Sequence, residues 1–170
     1  MELKEKQSAQ EQRTGTFQII VFKQGNEEYA LHIDQIKEVV ITPNITRMPQ
    51  TPEYIKGVAN IRGNIIAIID LEEKFNLKRN NDQQVGSNYT LVVESEDFKM
   101  GILVREVPNT LTITDKDFDD SVNVINDVNT EANYIKGIIK TNDRLIILID
   151  IFKVIDQELL MNNIKRSQVA

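Results

Sequence analysis

Short apolar runs rich in β-branched residues, each bounded by turn residues, recur along the whole chain. The first two runs, 16–22 and 28–33, flank the turn 24–27 and predict a β-hairpin. The later runs predict strands over 38–41, 58–61, 64–69, 89–94, 99–104, 111–114 and 145–151. The segments 52–57, 71–75 and 134–137 predict short helical turns, and the common face of Phe152, Ile155 and Leu159 predicts a closing C-terminal helix. This pattern predicts an all-β protein with brief helices.

Several of these segments belong to a repeat. Tyr54-Ile55-Lys56-Gly57 recurs 80 positions later as Tyr134-Ile135-Lys136-Gly137, and 65–71 aligns with 145–151 at the same shift. Two segments that keep register without a gap indicate two copies of one structural unit. Two small five-stranded barrels are the natural architecture for such a repeat, and the seam between them is a candidate binding place.

The repeat divides the chain into one central domain with two ends. Residues 1–15 are polar and without apolar period, which predicts a disordered arm or a frayed helix. Residues 16–160 form the domain of two pseudo-repeated barrel subdomains, with a hinge near 76–88, and 161–170 form a tail. No apolar stretch is long enough to span a bilayer and the start has no signal-like apolar segment, so a cytoplasmic protein is expected.

Composition argues against several classes of function. A net charge of −6, an aromatic content of 6% and the absence of Trp disfavour an SH3- or OB-like nucleic-acid module, which stays as an alternative. Cysteine is absent, and no phosphate loop or nucleophile elbow is present, so we expect no enzyme, cofactor or metal site. The acidic cluster 115–120 leaves a small hydrolase as a weak alternative. The lone His32 is expected on the wet face of a hairpin.

The two copies differ at one hairpin tip. Arg62-Gly63 joins two apolar strands in the first copy, where the second has Asn142-Asp143. An ordinary exposed turn arginine is one interpretation, slightly favoured by spacing alone, and a docking arginine is the other. The strand 65–69 is apolar at every position, so both of its faces should be covered, either by the other copy or by a partner.

An ordered set of motifs then places the chain beside a known family. The motifs are Glu28-Tyr29-Ala30-Leu31, Ile36-Lys37-Glu38-Val39, Ile45-Thr46-Arg47-Met48-Pro49, 54–63, 66–71 and 143–150. In these residues, and in their order over 17–155, the chain resembles the chemotaxis coupling proteins of the CheW family. The resemblance implies two intertwined SH3-like barrels around a shared apolar core and no catalytic activity.

The resemblance also implies partners and sites. It implies binding to the histidine kinase CheA, through its regulatory domain, and to the cytoplasmic tip of transmembrane methyl-accepting chemoreceptors; another chemosensory kinase pathway is the alternative. The receptor-binding positions fall on Ile36, Glu38, Gly57, Arg62, Val104 and Val107. The kinase-binding positions are placed on Phe118, Val122 and Val124, where the family often has a basic, proline-containing segment and this chain is acidic.

Overall fold

The protein, described here from a computed structural model, consists mainly of strands. The structure describes residues 15–77, 88–96, 98–120 and 134–155, so the predictions for the N-terminal arm, the tail, most of the hinge, Val122 and Val124 fall outside it. The strands are β1 (Thr16–Gln24), β2 (Glu27–His32), β3 (Ile36–Ile41), β4 (Ile55–Ile61), β5 (Asn64–Ile69), β6 (Tyr89–Glu94), β7 (Lys99–Val104), β8 (Asn109–Thr114), β9 (Phe118–Asp119), β10 (Ile135–Thr141) and β11 (Arg144–Ile149). Two single-turn α-helices, Leu71–Lys74 and Ile151–Val154, follow β5 and β11.

The strands form two sheets that exchange hairpins between the sequence repeats. Sheet A has the order β8-β1-β2-β11-β10-β9, and sheet B has the order β3-β6-β7-β5-β4. The first copy's hairpin β1–β2 therefore lies among strands of the second copy, and the hairpin β6–β7 lies among strands of the first. The exchanged hairpins join their hosts through the parallel pairs β2–β11 and β5–β7. The predicted fold of two intertwined barrels is confirmed.

Each sheet is curved so that its two edges approach each other. In sheet B, Thr46 and Val58 exchange backbone hydrogen bonds of 2.8 and 2.9 Å, so the segment that follows β3 reaches β4 at the opposite edge. In sheet A, β9 pairs with β10 at the equivalent place. Glycine is required in sheet B: Gly57 has φ +141°, and a Cβ would overlap the Thr46 carbonyl. Each sheet is thereby rolled into a barrel.

Three apolar clusters hold the barrels together. One fills the inside of sheet A: Ile19, Val21, Ala30, Ile113, Ile139, Ile146 and Leu148. Its counterpart inside sheet B consists of Ala59, Ile61, Ile66, Ile68, Val92 and Leu103. The largest cluster draws on both sheets and both short helices, and it is the shared core between the barrels. Burial of these side chains supplies the main stabilising term of the fold.

The shared core explains the apolar strand at 65–69. Ile66 to Ile69 are buried, with alternate residues facing the barrel interior and the shared core, so the cover comes from within the chain. Ile65 is the exception at 44% exposure, and its repeat equivalent Leu145 is 64% exposed.

The helical predictions had mixed outcomes. The helical turn after β5 is confirmed, and Asp70 caps it by accepting hydrogen bonds from the backbone amides of Glu72 and Glu73. The helical turns predicted over 52–57 and 134–137 are cut short, because β4 and β10 begin at Ile55 and Ile135. A hydrogen-bonded turn from Pro52 to Ile55 and the 3₁₀ conformation of Tyr134 remain of the prediction. Of the predicted closing helix, the structure shows the turn Ile151–Val154, after which Ile155 is extended, and Leu159 lies outside the described residues. His32 is partly covered, because its ring stacks on Phe17 with centroids 5.0 Å apart.

Candidate functional site

The hairpin tip between β4 and β5 has a backbone that projects its arginine. Arg62 and Gly63 have φ of 51° and 82°, so both central residues are left-handed, as in the two-residue turns that match strand twist. The Asn60 side-chain oxygen accepts a hydrogen bond of 3.0 Å from the Gly63 amide and fixes the turn. The Arg62 side chain is 71% exposed as a result.

Arg62 pairs with an acid on the far edge of the same sheet. Its Nε donates a hydrogen bond of 2.6 Å to Oε2 of Glu38, whose side chain is only 18% exposed. Glu38 lies on β3 and Arg62 follows β4, so the ion pair spans the place where the two edges of sheet B meet. A charge-assisted bond of this length orients the guanidinium while leaving most of it accessible.

The second copy has no such pair. Strand register shows which residues of the two sheets are equivalent. In each sheet, residues paired from strand to strand form a row that crosses the sheet. The rows are Glu38-Val92-Gly101-Ile68-Gly57 in sheet B and Asn109-Val21-Ala30-Leu148-Gly137 in sheet A. Asn109 thus occupies the place of Glu38, and Asn142 occupies that of Arg62 with φ of 46°. The fold is built twice, whereas the ion pair is present in one barrel only.

The other predicted receptor-binding residues are spread over sheet B and its boundary. Ile36 begins β3 and packs partly into the shared core. Gly57 is buried beneath the Thr46 segment, and Val104 is 1% exposed in the shared core, so either would influence a partner through packing. Val107 is 59% exposed on the connector that follows β7. The structure therefore brings Glu38 and Arg62 into contact and leaves Arg62 and Val107 open to a partner.

Comparison with known proteins agrees with this arrangement. The CheW-like domain family matches residues 18–159. The chain belongs to the CheW-like family. It is 35% identical to the chemotaxis protein CheW of Helicobacter pylori, over 89% of this chain and 88% of that protein. It is 32% identical to CheW of Klebsiella aerogenes, over 88% and 89% of the two chains.

A solved structure extends the likeness to the fold. The scaffolding protein TtCheW of Thermoanaerobacter tengcongensis is similar with a TM-score of 0.70 and 30% identity, over 84% of this chain and 89% of that one. The family resemblance predicted from the motifs is confirmed, and with it the role: this CheW-family chain is a scaffold protein of chemotaxis signalling.

Sequence reasoning missed two exposed apolar side chains on the strand that carries Glu38. Val39 and Ile41 project from the outer face of the edge strand β3, with exposures of 38% and 79%, whereas Val40 between them packs inside sheet B. Three consecutive apolar residues were the available signal, but their exposure follows from β3 being an edge, which only the sheet order reveals. These residues give this CheW-family chain an apolar strip on β3, on the face opposite to Glu38 and Val40.

The predicted kinase-binding segment is described only at its start. Phe118 is partly buried, packs on the inside of sheet A and meets Phe17 edge-on with centroids 6.3 Å apart. A Cβ at Gly137 would lie 2.5 Å from its ring, so the glycine makes room for it. Phe118 therefore anchors the segment whose following residues, Asp119 and Asp120, are exposed.

One acid of the cluster 115–120 has a local structural role. Asp117 accepts hydrogen bonds from the backbone amide and the hydroxyl of Thr114, at 3.1 and 3.0 Å, and so caps the 3₁₀ turn Asp115–Asp117. Within the described ranges no three acidic or histidine side chains converge as metal ligands would. Over the same residues, no helix has the length and hydropathy needed to cross a bilayer.

Proposed function

We propose that this CheW-family chain is a non-enzymatic adaptor that couples methyl-accepting chemoreceptors to the histidine kinase CheA. In this proposal it is a cytoplasmic protein recruited to receptor arrays at the inner face of the membrane. The Glu38–Arg62 pair carries the proposal, because an exposed arginine oriented by a partly buried acid is the kind of group that dominates protein interfaces. Its confinement to one of two equivalent barrels indicates a role in binding, since the other barrel folds without it.

The receptor-docking surface consists of Ile36, Glu38, Val39, Ile41, Arg62 and Val107. It combines an apolar strip on the edge strand with one charged pair, which matches the composition of a small interface that has an apolar centre and a polar rim. A receptor tip made of two packed helices would lay apolar side chains along the strip and an acidic or carbonyl group against Arg62. Gly57 and Val104 support this surface from beneath.

The kinase-docking surface is placed on the other barrel, from Phe118 through Val122 and Val124. The exposed Asp119 and Asp120 would pair with basic groups of the kinase regulatory domain. Using separate barrels for the two partners allows both to bind at the same time, as a coupling protein requires. The receptor then controls the kinase only if its contacts with the scaffold differ in free energy between the signalling states.

Co-sedimentation tests this proposal. The protein is mixed with receptor-containing membranes and CheA, and we expect it to enter a ternary pellet and to raise receptor-controlled kinase phosphorylation. A protein that stays in the supernatant with both partners present would refute the adaptor function. A parallel arm with the kinase and receptor of another chemosensory system distinguishes the alternative pathway, and a single-stranded nucleic-acid arm tests the alternative class of function.

A further inference from the structure

A buried carboxylate joins three segments at the boundary between the barrels. Glu72, in the short helix after β5, is 7% exposed. Its Oε1 accepts a hydrogen bond of 3.1 Å from the Gly25 amide in the β1–β2 turn. Its Oε2 accepts one of 2.9 Å from Nη2 of Arg105, which begins the connector between β7 and β8. One side chain thus links a turn of sheet A, a helix beside sheet B and the connector that joins the two sheets.

The fold itself does not call for a charge at this place. The repeat equivalent of Glu72, 80 positions later, is Phe152, which packs partly buried on the shared core. Burying a carboxylate is costly unless hydrogen bonds and an opposite charge compensate, whereas an aromatic ring at such a boundary is stabilising. A buried carboxylate at this position therefore indicates a role for the segments that it binds, the β1–β2 turn and the connector at Arg105.

Through Arg105, Glu72 fixes the connector between β7 and β8, which includes Val107. Arg105 is 22% exposed at its side chain and is fixed by Glu72, while its backbone carbonyl accepts a weak hydrogen bond of 3.5 Å from the Asn88 side chain. The backbone carbonyl of Leu103, just before the connector, accepts a hydrogen bond of 3.1 Å from the side-chain amide of the buried Gln24. The connector is tied from the inside, and Val107 is presented outward at 59% exposure.

We propose that Glu72, acting through Arg105, is a positioning residue for the receptor contact of Val107. This inference rests on the proposed receptor-docking surface. A connector that is already held in one conformation can bind the receptor without first being ordered. Loss of the Glu72–Arg105 ion pair therefore lowers the fraction of molecules in the binding-competent conformation. If that fraction falls to a fifth, the apparent Kd rises about fivefold.

The test measures binding of the full-length chain to the soluble cytoplasmic hairpin of a methyl-accepting chemoreceptor. We expect Arg105→Gln to weaken binding about fivefold and Arg105→Lys to restore most of it. Arg144→Gln is the matched control, because Arg144 makes a comparable pair with Glu28, at 2.7 and 3.0 Å, on the other barrel. We expect this loss of binding in Arg105→Gln alone. If that variant does not fold, Glu72→Gln, which keeps an acceptor for Gly25, replaces it in the same measurements.

A double variant separates positioning from general destabilisation. If Arg105 acts through Val107, adding Arg105→Gln to Val107→Ala weakens binding no further than Val107→Ala does alone. Additive losses, or equal losses in Arg105→Gln and Arg144→Gln, overturn the inference. If Val107→Ala weakens binding and Arg105→Gln does not, the positioning role is wrong while the docking surface stands. If neither Val107→Ala nor Arg62→Asn weakens binding, the docking surface itself is wrong, and the positioning role with it.

Discussion

Exchanging Arg62 for the residue at its repeat equivalent isolates its side chain from the fold. Asn142 has nearly the same backbone as Arg62, with φ of 46° against 51°, and asparagine tolerates this left-handed conformation. Arg62→Asn therefore keeps the turn and removes the guanidinium. Because the Arg62 side chain is 71% exposed, the lost ion pair should cost less than about 1 kcal/mol of unfolding free energy. An interface arginine of hot-spot character is worth about 2 kcal/mol of binding, or roughly 30-fold in Kd.

The assay pairs a binding titration with thermal unfolding. We expect Arg62→Asn to raise the Kd for the receptor hairpin roughly 30-fold, while the Tm falls by only a few degrees. Asn142→Arg is the reciprocal control at the other tip and should leave receptor binding unchanged. A Tm loss of roughly 10 °C or more with a proportionate binding loss would mean that Arg62 is structural. Unchanged binding would refute its place in the receptor-docking surface.

Three further predictions concern stability. Gly57→Ala should lower the unfolding free energy by several kcal/mol in denaturant titrations, because its Cβ meets backbone, whereas Gly63→Ala, which has open space, should cost about 1 kcal/mol; equal losses would contradict the steric argument. Burial raises the pKa of Tyr29 to about 12. The contribution of Tyr29 to the unfolding free energy is therefore fully present below pH ~10, and up to ~3 kcal/mol of it is lost as the pH rises to 12. Tyr29→Phe should flatten this alkaline loss, and an unaltered alkaline profile would exclude Tyr29. The hydrogen bond from Arg144 lowers the pKa of Glu28, so its contribution is present above pH ~4.3 and is lost as pH falls further. Glu28→Gln should make stability less dependent on pH below 4.5, which acid unfolding curves will test.

Strand content could be predicted from the sequence because apolar runs and turn residues report local backbone preference. The pairing of the strands could not be predicted in the same way. A repeat at 80 positions predicts two similar units, but it does not say whether the hairpin β1–β2 stays with its own copy or lies in the other sheet. That choice is set by long-range burial, and here only the family resemblance predicted an intertwined fold.

The errors at 52–57 and 134–137 have one physical cause. A proline or a glycine near an apolar residue is compatible both with a helix end and with an irregular strand. Gly57 stands at a register shift in β4, where its positive φ and missing side chain admit the crossing segment at Thr46. The same glycine signal would mark a helix C-terminus, and only the tertiary contact decides between the two structures.

The candidate site could be predicted from the sequence only where its residues differ between the two copies of the repeat. The exchange of Arg62 for Asn142 is visible in the amino-acid sequence, because the two tips align at the 80-residue shift. The matching exchange of Glu38 for Asn109 needs strand register, because the hairpin and the later strands repeat at different shifts. The buried role of Glu72 had no signal, since an acid in the first turn of a short helix is typical of an exposed residue.

The differences between the barrels extend beyond the charged pair, and their distribution supports a single receptor-docking surface. By strand register, the exposed Val39 and Ile41 of β3 correspond to Thr110 and Thr112 of β8. The barrel that lacks the ion pair therefore also lacks the apolar strip on the equivalent strand. Stability does not account for this coincidence, because exposed valine and isoleucine contribute little to folding and an exposed ion pair contributes equally little. Binding accounts for both together, since an interface needs an apolar centre and a charged group that sets its orientation. The same scaffold is present twice, and among the described residues it is the barrel of sheet B that carries the side chains of the proposed receptor-docking surface.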